Sequence, residues 1–291
     1  MDRSLLTRRK FFGRFLIGAS VVAAVGGADA LYLEPRNLVA ERIDVRLKRL
    51  PAEFHAFRIA QISDFHFGPY FRRPGVERAV SLARSFHPDV VVLTGDFVSH
   101  PFGGWNGPEG ARYAEPCADV LANIKGVPTV AILGNHDHWN NAHIVEGALK
   151  DRGIEVLRNR ALPLERGVNR IWISGIDDAL VGAADLRLAL HEVPSSEATI
   201  LLAHEPDFAD YAARFPIDLQ LSGHSHGGQV RVPGLGALIL PALARKYPAG
   251  LNQVGPLQVY TNRGIGVINP PVRFNCPPEV TFLTLFKDQT L

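Results

Sequence analysis

Short runs of apolar residues recur along the chain, and each run ends in a polar or glycine-rich turn. The runs span residues 58–62, 90–93, 129–133, 171–173, 199–203 and 219–221. Each holds three to five residues, mostly β-branched residues or leucine, which is typical of buried strands. The pattern therefore predicts six core strands.

Longer stretches between these runs have the length and periodicity of helices. They cover Arg73–Phe86, Pro116–Lys125 and His143–Gly153. Alternating strands and helices predict an α/β protein in which at least part of the sheet is parallel. Ligands of open α/β sheets bind beyond the carboxyl ends of the strands. The residues that follow the runs are therefore the first candidates for a functional site.

Metal-binding residue types follow five of the six runs. In chain order they are Asp64, His66, Asp96, Asn135, His204, His224 and His226, with His136 and Asp137 directly after Asn135. Carboxylate, amide and imidazole groups without a thiolate suit Mn, Fe, Co, Ni or Zn. Asp177 and Asp178 follow the remaining run, and for them a structural turn or a supporting role is favoured.

The motifs read, in order, D-x-H, G-D, G-N-H-D, H and G-H-S-H. This order resembles the calcineurin-like metallophosphoesterase superfamily, and the resemblance extends from about Arg58 to Gln229. It implies a four-layer α-β-β-α sandwich of two mixed sheets with flanking helices and a metal site at the strand carboxyl ends. It also implies a phosphodiesterase or phosphatase that hydrolyses a phosphoester bond with a hydroxide bridging two divalent metal ions.

The family pattern divides the ligands between two ions. One ion would be bound by Asp64, His66, Asp96 and His226, and the other by Asp96, Asn135, His204 and His224. The pattern implies that Asp96 bridges the two ions.

Two further residues have expected roles beside the ligands. His136 would be the general acid or a stabiliser of the leaving oxygen, and Asp137 would orient it. The alternation of His224, Ser225 and His226 is expected to place both imidazoles on one side of an extended segment, so that each could reach a different metal ion.

Longer stretches narrow the resemblance to exported bacterial phosphodiesterases, a group that includes enzymes cleaving the diphosphate of UDP-2,3-diacylglucosamine in lipid A synthesis. The stretches are residues 30–35, 202–207, 221–229 and 271–279. The residues after Asp96 lack the Asp-Arg-Gly of the Ser/Thr phosphatases. Ser99 stands where purple acid phosphatases need tyrosine.

Residues 1–30 predict a signal segment, followed by a metallophosphoesterase domain over residues 31–291. A basic start precedes the uncharged residues 15–28, which as a helix would reach about 21 Å against roughly 30 Å of hydrocarbon. Arg8-Arg9 lies in a motif that resembles the twin-arginine export signal, and Ala28-Asp29-Ala30 fits a cleavage site. We expect the twin-arginine export machinery to deliver the protein to the periplasm or the membrane-associated envelope. An uncleaved anchor and a cytosolic amphipathic start are the alternatives.

The overall charge argues against nucleic acid as the main partner. Residues 1–30 hold five of the 31 basic and two of the 29 acidic residues, so the remainder carries 26 and 27. Nearly equal numbers of basic and acidic residues do not produce the strong positive potential on which nucleic-acid-binding proteins rely. The slight excess of positive charge belongs to the predicted signal segment.

Several alternatives remain open from the sequence. Residues 230–243 are nearly uncharged and form either an apolar patch for an acyl chain or membrane surface, or a buried strand pair. His100 and His138 lie close in sequence to Asp96 and Asn135, so each is either a substrate contact or a histidine without a role in the site. Cys117 and Cys276 are either paired or two free buried thiols, the latter favoured. A non-catalytic metal-binding envelope protein is the alternative to an enzyme.

Overall fold

The computed structural model describes Ser20, residues 26–99 and residues 108–288. Arg8, Arg9 and most of the predicted signal segment lie outside the described residues, as does His100. The helices used below are α1 (Arg73–Ser85), α2 (Ala114–Leu121), α3 (Asn135–Lys150), α4 (Leu186–Ala189) and α5 (Ala209–Ala212).

The strands form two large sheets and one small hairpin. They are β1 (Val39–Leu47), β2 (Phe57–Ile62), β3 (Val90–Thr94), β4 (Thr129–Ile132), β5 (Glu155–Val156), β6 (Arg160–Arg166), β7 (Asn169–Gly175), β8 (Thr199–Leu202), β9 (Leu219–Ser222), β10 (Arg231–Val232), β11 (Gly236–Ala237), β12 (Gly250–Val254), β13 (Leu257–Thr261) and β14 (Glu279–Lys287). All six predicted strands are present.

Both large sheets are mixed. The first has the order β1-β14-β2-β3-β4-β5, with β14 antiparallel to β2 and the strands β2 to β5 parallel. The second has the order β12-β13-β9-β8-β7-β6, with antiparallel strands at both edges and a parallel centre. The carboxyl ends of β2, β3 and β4 therefore share one edge of the first sheet. Those of β8 and β9 share one edge of the second.

Alternating side chains on the central strands create the layers. Val90 and Val92 of β3 pack in the core between the sheets, together with Leu202 of β8. Val91 belongs instead to the core beneath α1, α2 and α3, and Leu201 to the core beneath α4 and α5. Side chains of a strand point alternately to its two faces, so apolar residues on both faces require cover on both. This confirms the predicted four-layer α-β-β-α architecture.

The helices agree with the sequence prediction to different degrees. Helix α1 begins at Arg73 as predicted and buries Val76, Ala79, Val80 and Ala83, which share one helical face. Helix α3 begins at Asn135 instead of His143, and its backbone is non-helical at Asn141. The apolar periodicity identified only the part beyond this kink.

The segment 230–243 is not a buried strand pair. Strands β10 and β11 have two residues each, and the turn between them leaves Leu235 78% exposed. Leu238 and Ile239, which follow β11, are 61% and 82% exposed. Among the described residues, none of the helices combines the length and the apolar character needed to span a bilayer. Cys117 and Cys276 are free and buried, as favoured.

We predict that Leu283→Ala lowers the free energy of unfolding by about 2–5 kcal/mol, because it leaves a cavity in the core between the sheets. Leu283 is fully buried there. Val168→Ala is the control, since Val168 is 100% exposed and should change stability by less than about 0.5 kcal/mol. Urea unfolding followed by circular dichroism measures both. Equal effects would contradict the assigned core.

Candidate metal centre

The turns after five strands bring the predicted ligands together. The backbone N–H of Asp64 donates to the carbonyl of Gly95 at 3.0 Å, and that of His66 to Asp96 at 2.9 Å. In the second sheet, the N–H of Gly223 donates to the carbonyl of His204 at 3.0 Å. All seven predicted ligands are buried: Asp64, His66, Asp96, Asn135, His204, His224 and His226.

Five of these seven residues have a left-handed backbone. Their φ values are 51° for Asp64, 43° for His66, 56° for Asp96, 66° for His224 and 50° for His226. This region is costly for residues other than glycine and persists only where the surroundings enforce it. The two-sheet scaffold therefore holds these side chains in place against a local preference for other conformations.

The motif around Ser225 reaches the site by a turn and not by an extended segment. Ser225 is helical, with φ −72° and ψ −26°, between two left-handed histidines. His226 lies with Asp64 and His66, whereas His224 lies with Asp96 and His204. In each group the ligand atoms are within 4.8 Å of one another. The expectation of an extended segment was wrong, because the backbone reverses at each histidine.

The first group places two imidazoles against a carboxylate. His66 Nε2 is 2.9 Å from His226 Nε2, which is 3.4 Å from Asp64 Oδ1. Burial lowers the pKa of His66 to about 3, and burial together with His66 holds the pKa of His226 well below its usual value. Burial raises the pKa of Asp64 to about 7. Two neutral rings that face each other beside a buried carboxyl suit a cation between them.

Asp96 links the first group to the second. Its Oδ2 is 3.4 Å from His66 Nε2 and 3.2 Å from His204 Nε2. Burial alone would raise the pKa of Asp96, but His204 and His136 hold it well below its usual range. Burial would lower the pKa of His204, yet the Asp96 carboxylate holds it well above. The Asp96 carboxylate thus favours positive charge on His204, whereas His66 on its other side stays neutral.

Backbone carbonyls orient the two histidines of the second group. His204 Nδ1 lies 2.7 Å from the carbonyl of Thr94 and donates to it, which leaves Nε2 to face Asp96. His224 Nε2 donates to the carbonyl of Ala242 at 2.9 Å. Metal-binding histidines usually make such a bond with their other nitrogen. The bond to Ala242 leaves His224 Nδ1 for the site.

The residues fit a divalent metal ion. Asn135 Oδ1 is fully buried and has no hydrogen-bond partner within residues 26–99 and 108–288. A buried polar atom without a partner is costly, and a metal ion would satisfy it. The donor set of nitrogen and oxygen atoms is one that first-row divalent ions accept.

The comparisons with known proteins agree with this geometry. Residues 57–228 match the family model described as calcineurin-like phosphoesterase. The chain belongs to the calcineurin-like phosphoesterase family. It is a metal-dependent phosphoester hydrolase.

Bacterial relatives match this phosphoesterase over nearly its whole length. One is a Bacillus subtilis protein named uncharacterized metallophosphoesterase YkuE, 33% identical over 96% of this chain and 98% of the relative. Another is the Escherichia coli phosphodiesterase YaeI, 31% identical over 97% of this chain and 100% of the relative. An Aquifex aeolicus metallophosphoesterase is 28% identical over 91% and 97%.

His136 lies beside the ligands of the phosphoesterase site. Its backbone N–H donates to Asp96 Oδ1 at 2.9 Å, and its ring centroid is 4.7 Å from that of His66. A ring nitrogen of His136 lies within 4.8 Å of the ligand atoms of His66 and Asp96. Unlike the seven predicted ligands, His136 is only partly buried. It can therefore face both the metal ligands and a substrate.

Asp137 does not have the expected role of orienting the His136 ring. Its Oδ1 accepts the backbone N–H groups of Phe97 and Val98 at 2.8 and 3.2 Å, and its Oδ2 accepts that of Gly134 at 3.0 Å. The carboxylate connects the turn after Asp96 to the turn before Asn135. It fixes two ligand turns relative to each other.

Arg273 is a component of the site that the sequence reasoning missed. It is fully buried and donates to the carbonyls of Arg263, Gly264, Gly266 and Cys276 at 2.7–3.3 Å. The N–H of Gly266 in turn donates to the carbonyl of Asp64 at 2.8 Å. Arg273 therefore stabilises the loop that supports Asp64. The only signal in the sequence was its position in the family-like stretch 271–279.

The remaining candidate residues, His138, Asp177 and Asp178, form hydrogen bonds within the protein. His138 Nε2 is 2.7 Å from Asp177 Oδ1, and Arg158 Nε donates to Asp177 Oδ2 at 2.7 Å. Asp178 Oδ1 accepts the N–H of Val181 at 2.8 Å, so the pair forms the predicted structural turn. The other histidines that the structure describes, His55, His87, His143 and His191, are exposed.

We predict that Gly134→Ala weakens manganese binding by about 10–100-fold, as changes to groups that support metal ligands do. A Cβ at this position would be 2.4 Å from Asp96 Oδ1 and 2.8 Å from His204 Cε1. The backbone can accept alanine, since φ is −114°. The effect therefore reports on displaced ligands, measured by calorimetric titration of the metal-free protein.

Gly147→Ala is the matched control on the same helix. A Cβ there would meet nothing within 4 Å, and alanine should stabilise the helix by up to about 1 kcal/mol. Unchanged metal affinity in Gly134→Ala would contradict the placement of Asp96 as a ligand.

Proposed function

We propose that this chain hydrolyses a phosphodiester or diphosphate bond with two divalent metal ions in the bacterial envelope. The observation that carries the proposal is the position of Asp96 Oδ2 between His66 Nε2 and His204 Nε2. One carboxylate shared by two groups of ligands is what a pair of ions requires. The single oxygen lies within 3.4 Å of a nitrogen of each group.

The ligand assignment follows the two groups. We assign one ion to Asp64, His66, Asp96 and His226, and the other to Asp96, Asn135, His204 and His224. The ions would lower the pKa of a bound water and neutralise charge on the phosphoryl oxygens. Ligands of this type accept Mn, Fe, Co, Ni or Zn, so the availability of each metal in the cell decides which one binds.

His136 is the residue of this chain placed to act on the leaving group. The hydrogen bond from its N–H to Asp96 fixes its backbone beside the ligands. His136 is only partly buried, which leaves it accessible to a substrate oxygen. We propose that it donates a proton, or a hydrogen bond, to the departing oxygen.

An envelope location accounts for the sequence of residues 1–30. Their basic start, twin-arginine motif and uncharged middle support delivery by the twin-arginine export machinery. The similarity to a protein named phosphodiesterase supports a diester or diphosphate over a monoester. A lipid-linked substrate is supported by the exposed Leu238 and Ile239, which precede the carbonyl of Ala242 that orients His224.

We predict that the protein hydrolyses bis(p-nitrophenyl) phosphate when loaded with manganese, and that Asp96→Asn abolishes turnover. The substitution removes the anionic charge that both groups of ligands share. Release of p-nitrophenol measures the rate, and elemental analysis measures bound metal. An absence of turnover with every one of Mn, Fe, Co, Ni and Zn in metal-loaded protein would favour the non-catalytic alternative.

We predict that His136→Ala lowers kcat by about 100–10,000-fold, the usual contribution of general acid catalysis, with the metal content retained. His143→Ala is the control, because His143 is exposed on the same helix and should leave kcat unchanged. Loss of both metals in His136→Ala would show that the residue is a ligand instead of the proton donor.

The substrate class is tested by comparing three groups of compounds under the same conditions: UDP-2,3-diacylglucosamine, nucleotide diesters and phospholipids. A lipid-linked substrate predicts a higher kcat/KM for the acylated nucleotide or the phospholipids than for the nucleotide diesters. The opposite order would restrict the proposal to soluble phosphodiesters.

A further inference from the structure

Two groups of apolar side chains are exposed to solvent on either side of the segment 271–276. The N-terminal patch consists of Leu31, Tyr32 and Leu33, which are 45%, 61% and 66% exposed. The hairpin patch consists of Leu235, Leu238, Ile239 and Leu243, of which Ile239 reaches 82%. Contiguous exposed apolar surface on a soluble fold marks a binding surface.

Hydrogen bonds hold both patches to the same segment. The N–H of Arg273 donates to the carbonyl of Ala30 at 2.9 Å, directly before the N-terminal patch. The N–H of Arg231 donates to the carbonyl of Phe274 at 2.9 Å, at the start of the hairpin. The residues that lead into the two patches therefore bind adjacent positions of one segment, although they are about 200 residues apart in sequence.

Three arginines surround a cavity next to the N-terminal patch. The cavity has a volume of about 560 Å³ and is lined by Leu31 and Tyr32 together with Arg36, Arg72 and Arg78. All three arginines are exposed, and within the described ranges none forms an ion pair with a carboxylate. The side chains of Arg36 and Arg72 donate to the backbone carbonyls of Tyr32 and Pro69. Their charges are available to an anionic partner.

The apolar patches and the three arginines together indicate the chemistry of a binding partner. Guanidinium groups bind phosphate well, and apolar side chains beside unpaired positive charge match the boundary between anionic headgroups and acyl chains. The N-terminal patch also begins three residues after the uncharged residues 15–28 of the sequence. We propose that the two patches and the three arginines dock this protein on the surface of an anionic phospholipid bilayer.

Docking at this surface would place the metal centre beside the lipid. The hairpin patch leads to Ala242, whose carbonyl accepts the hydrogen bond from His224. On the other side, the loop that lines the arginine cavity at Pro69 and Tyr70 follows His66. The inference extends the proposed function, but its test measures binding to vesicles and not hydrolysis, so the two can fail separately.

The first experiment measures binding of the full chain to vesicles by flotation. Its probes are vesicles of phosphatidylcholine alone and of phosphatidylcholine mixed with phosphatidylglycerol. Replacing Arg36, Arg72 and Arg78 together by glutamine should weaken binding to the anionic vesicles by about 100-fold, since each basic residue near an anionic surface contributes about fivefold. Added salt should weaken binding of the parent protein in the same direction.

The matched control changes the same charge elsewhere. Arg46, Arg187 and Arg214 are also exposed and, in the part of the chain that the structure describes, form no ion pair. Their joint replacement by glutamine should leave binding within about twofold of the parent, since none of them lines the cavity next to the N-terminal patch. Equal losses in the two triple variants, or a loss in neither, would overturn the arginine part of the proposal.

The second experiment tests the hairpin patch directly. Both natural cysteines are buried, so Ile239→Cys can be labelled with an environment-sensitive fluorophore. Its emission should shift to the blue when anionic vesicles are added, whereas a label at Val168→Cys, on an exposed turn, should not respond.

The label also distinguishes a bilayer from a second copy of this chain as the partner of the hairpin patch. A blue shift that grows with protein concentration in the absence of vesicles would identify a second copy of this chain as the partner and overturn the proposal. So would equal responses at both labelled positions, or no response at position 239 while the protein floats with the vesicles. Native circular dichroism of each variant verifies that it is folded.

Discussion

The buried carboxylate of Asp96 is the group on which the rest of the structure depends. One oxygen accepts the N–H of His136, and the other lies between His66 and His204. A negative charge without compensation is very costly in so dry a place. The turns of both sheets must therefore present positive or metal-binding groups to it. Gly95 and Gly134 leave room for this, since a Cβ at either position would strike His204 or Asp96.

The hydrophobic layers supply the rigidity that the metal centre needs. Five ligand residues have left-handed backbones, which isolated turns would not retain. The core between the sheets fixes the strands that carry these turns, and Asp137 and Arg273 fix the turns themselves through backbone groups. Local strain at the site is thus offset by burial elsewhere, which holds the candidate ligands in place.

The surface around the site differs from the strongly charged surface of a nucleic-acid-binding protein. Apolar side chains and arginines without carboxylate partners in the described residues flank the segment 271–276, next to the point where the chain enters the fold. Arg273 connects this surface to the centre, because its backbone holds Ala30 and its side chain supports the loop beneath Asp64. The segment 271–276 therefore contacts both the loop that supports the predicted ligand Asp64 and the residues of this surface.

The sequence by itself predicted the strands and, through its resemblance to a known family, the layered fold and the candidate residues of the metal centre. Apolar runs and ligand motifs are local patterns, and parallel strands bring their carboxyl ends together whatever the details of the turns. Only the tertiary structure decided the backbone reversal at His224 and His226, the contacts of Asp137 and the burial of Arg273. It also showed that Leu238 and Ile239 are exposed. The physical reason is that these features depend on groups distant in sequence, such as Arg273 and the loop against Asp64, whose proximity no local pattern encodes.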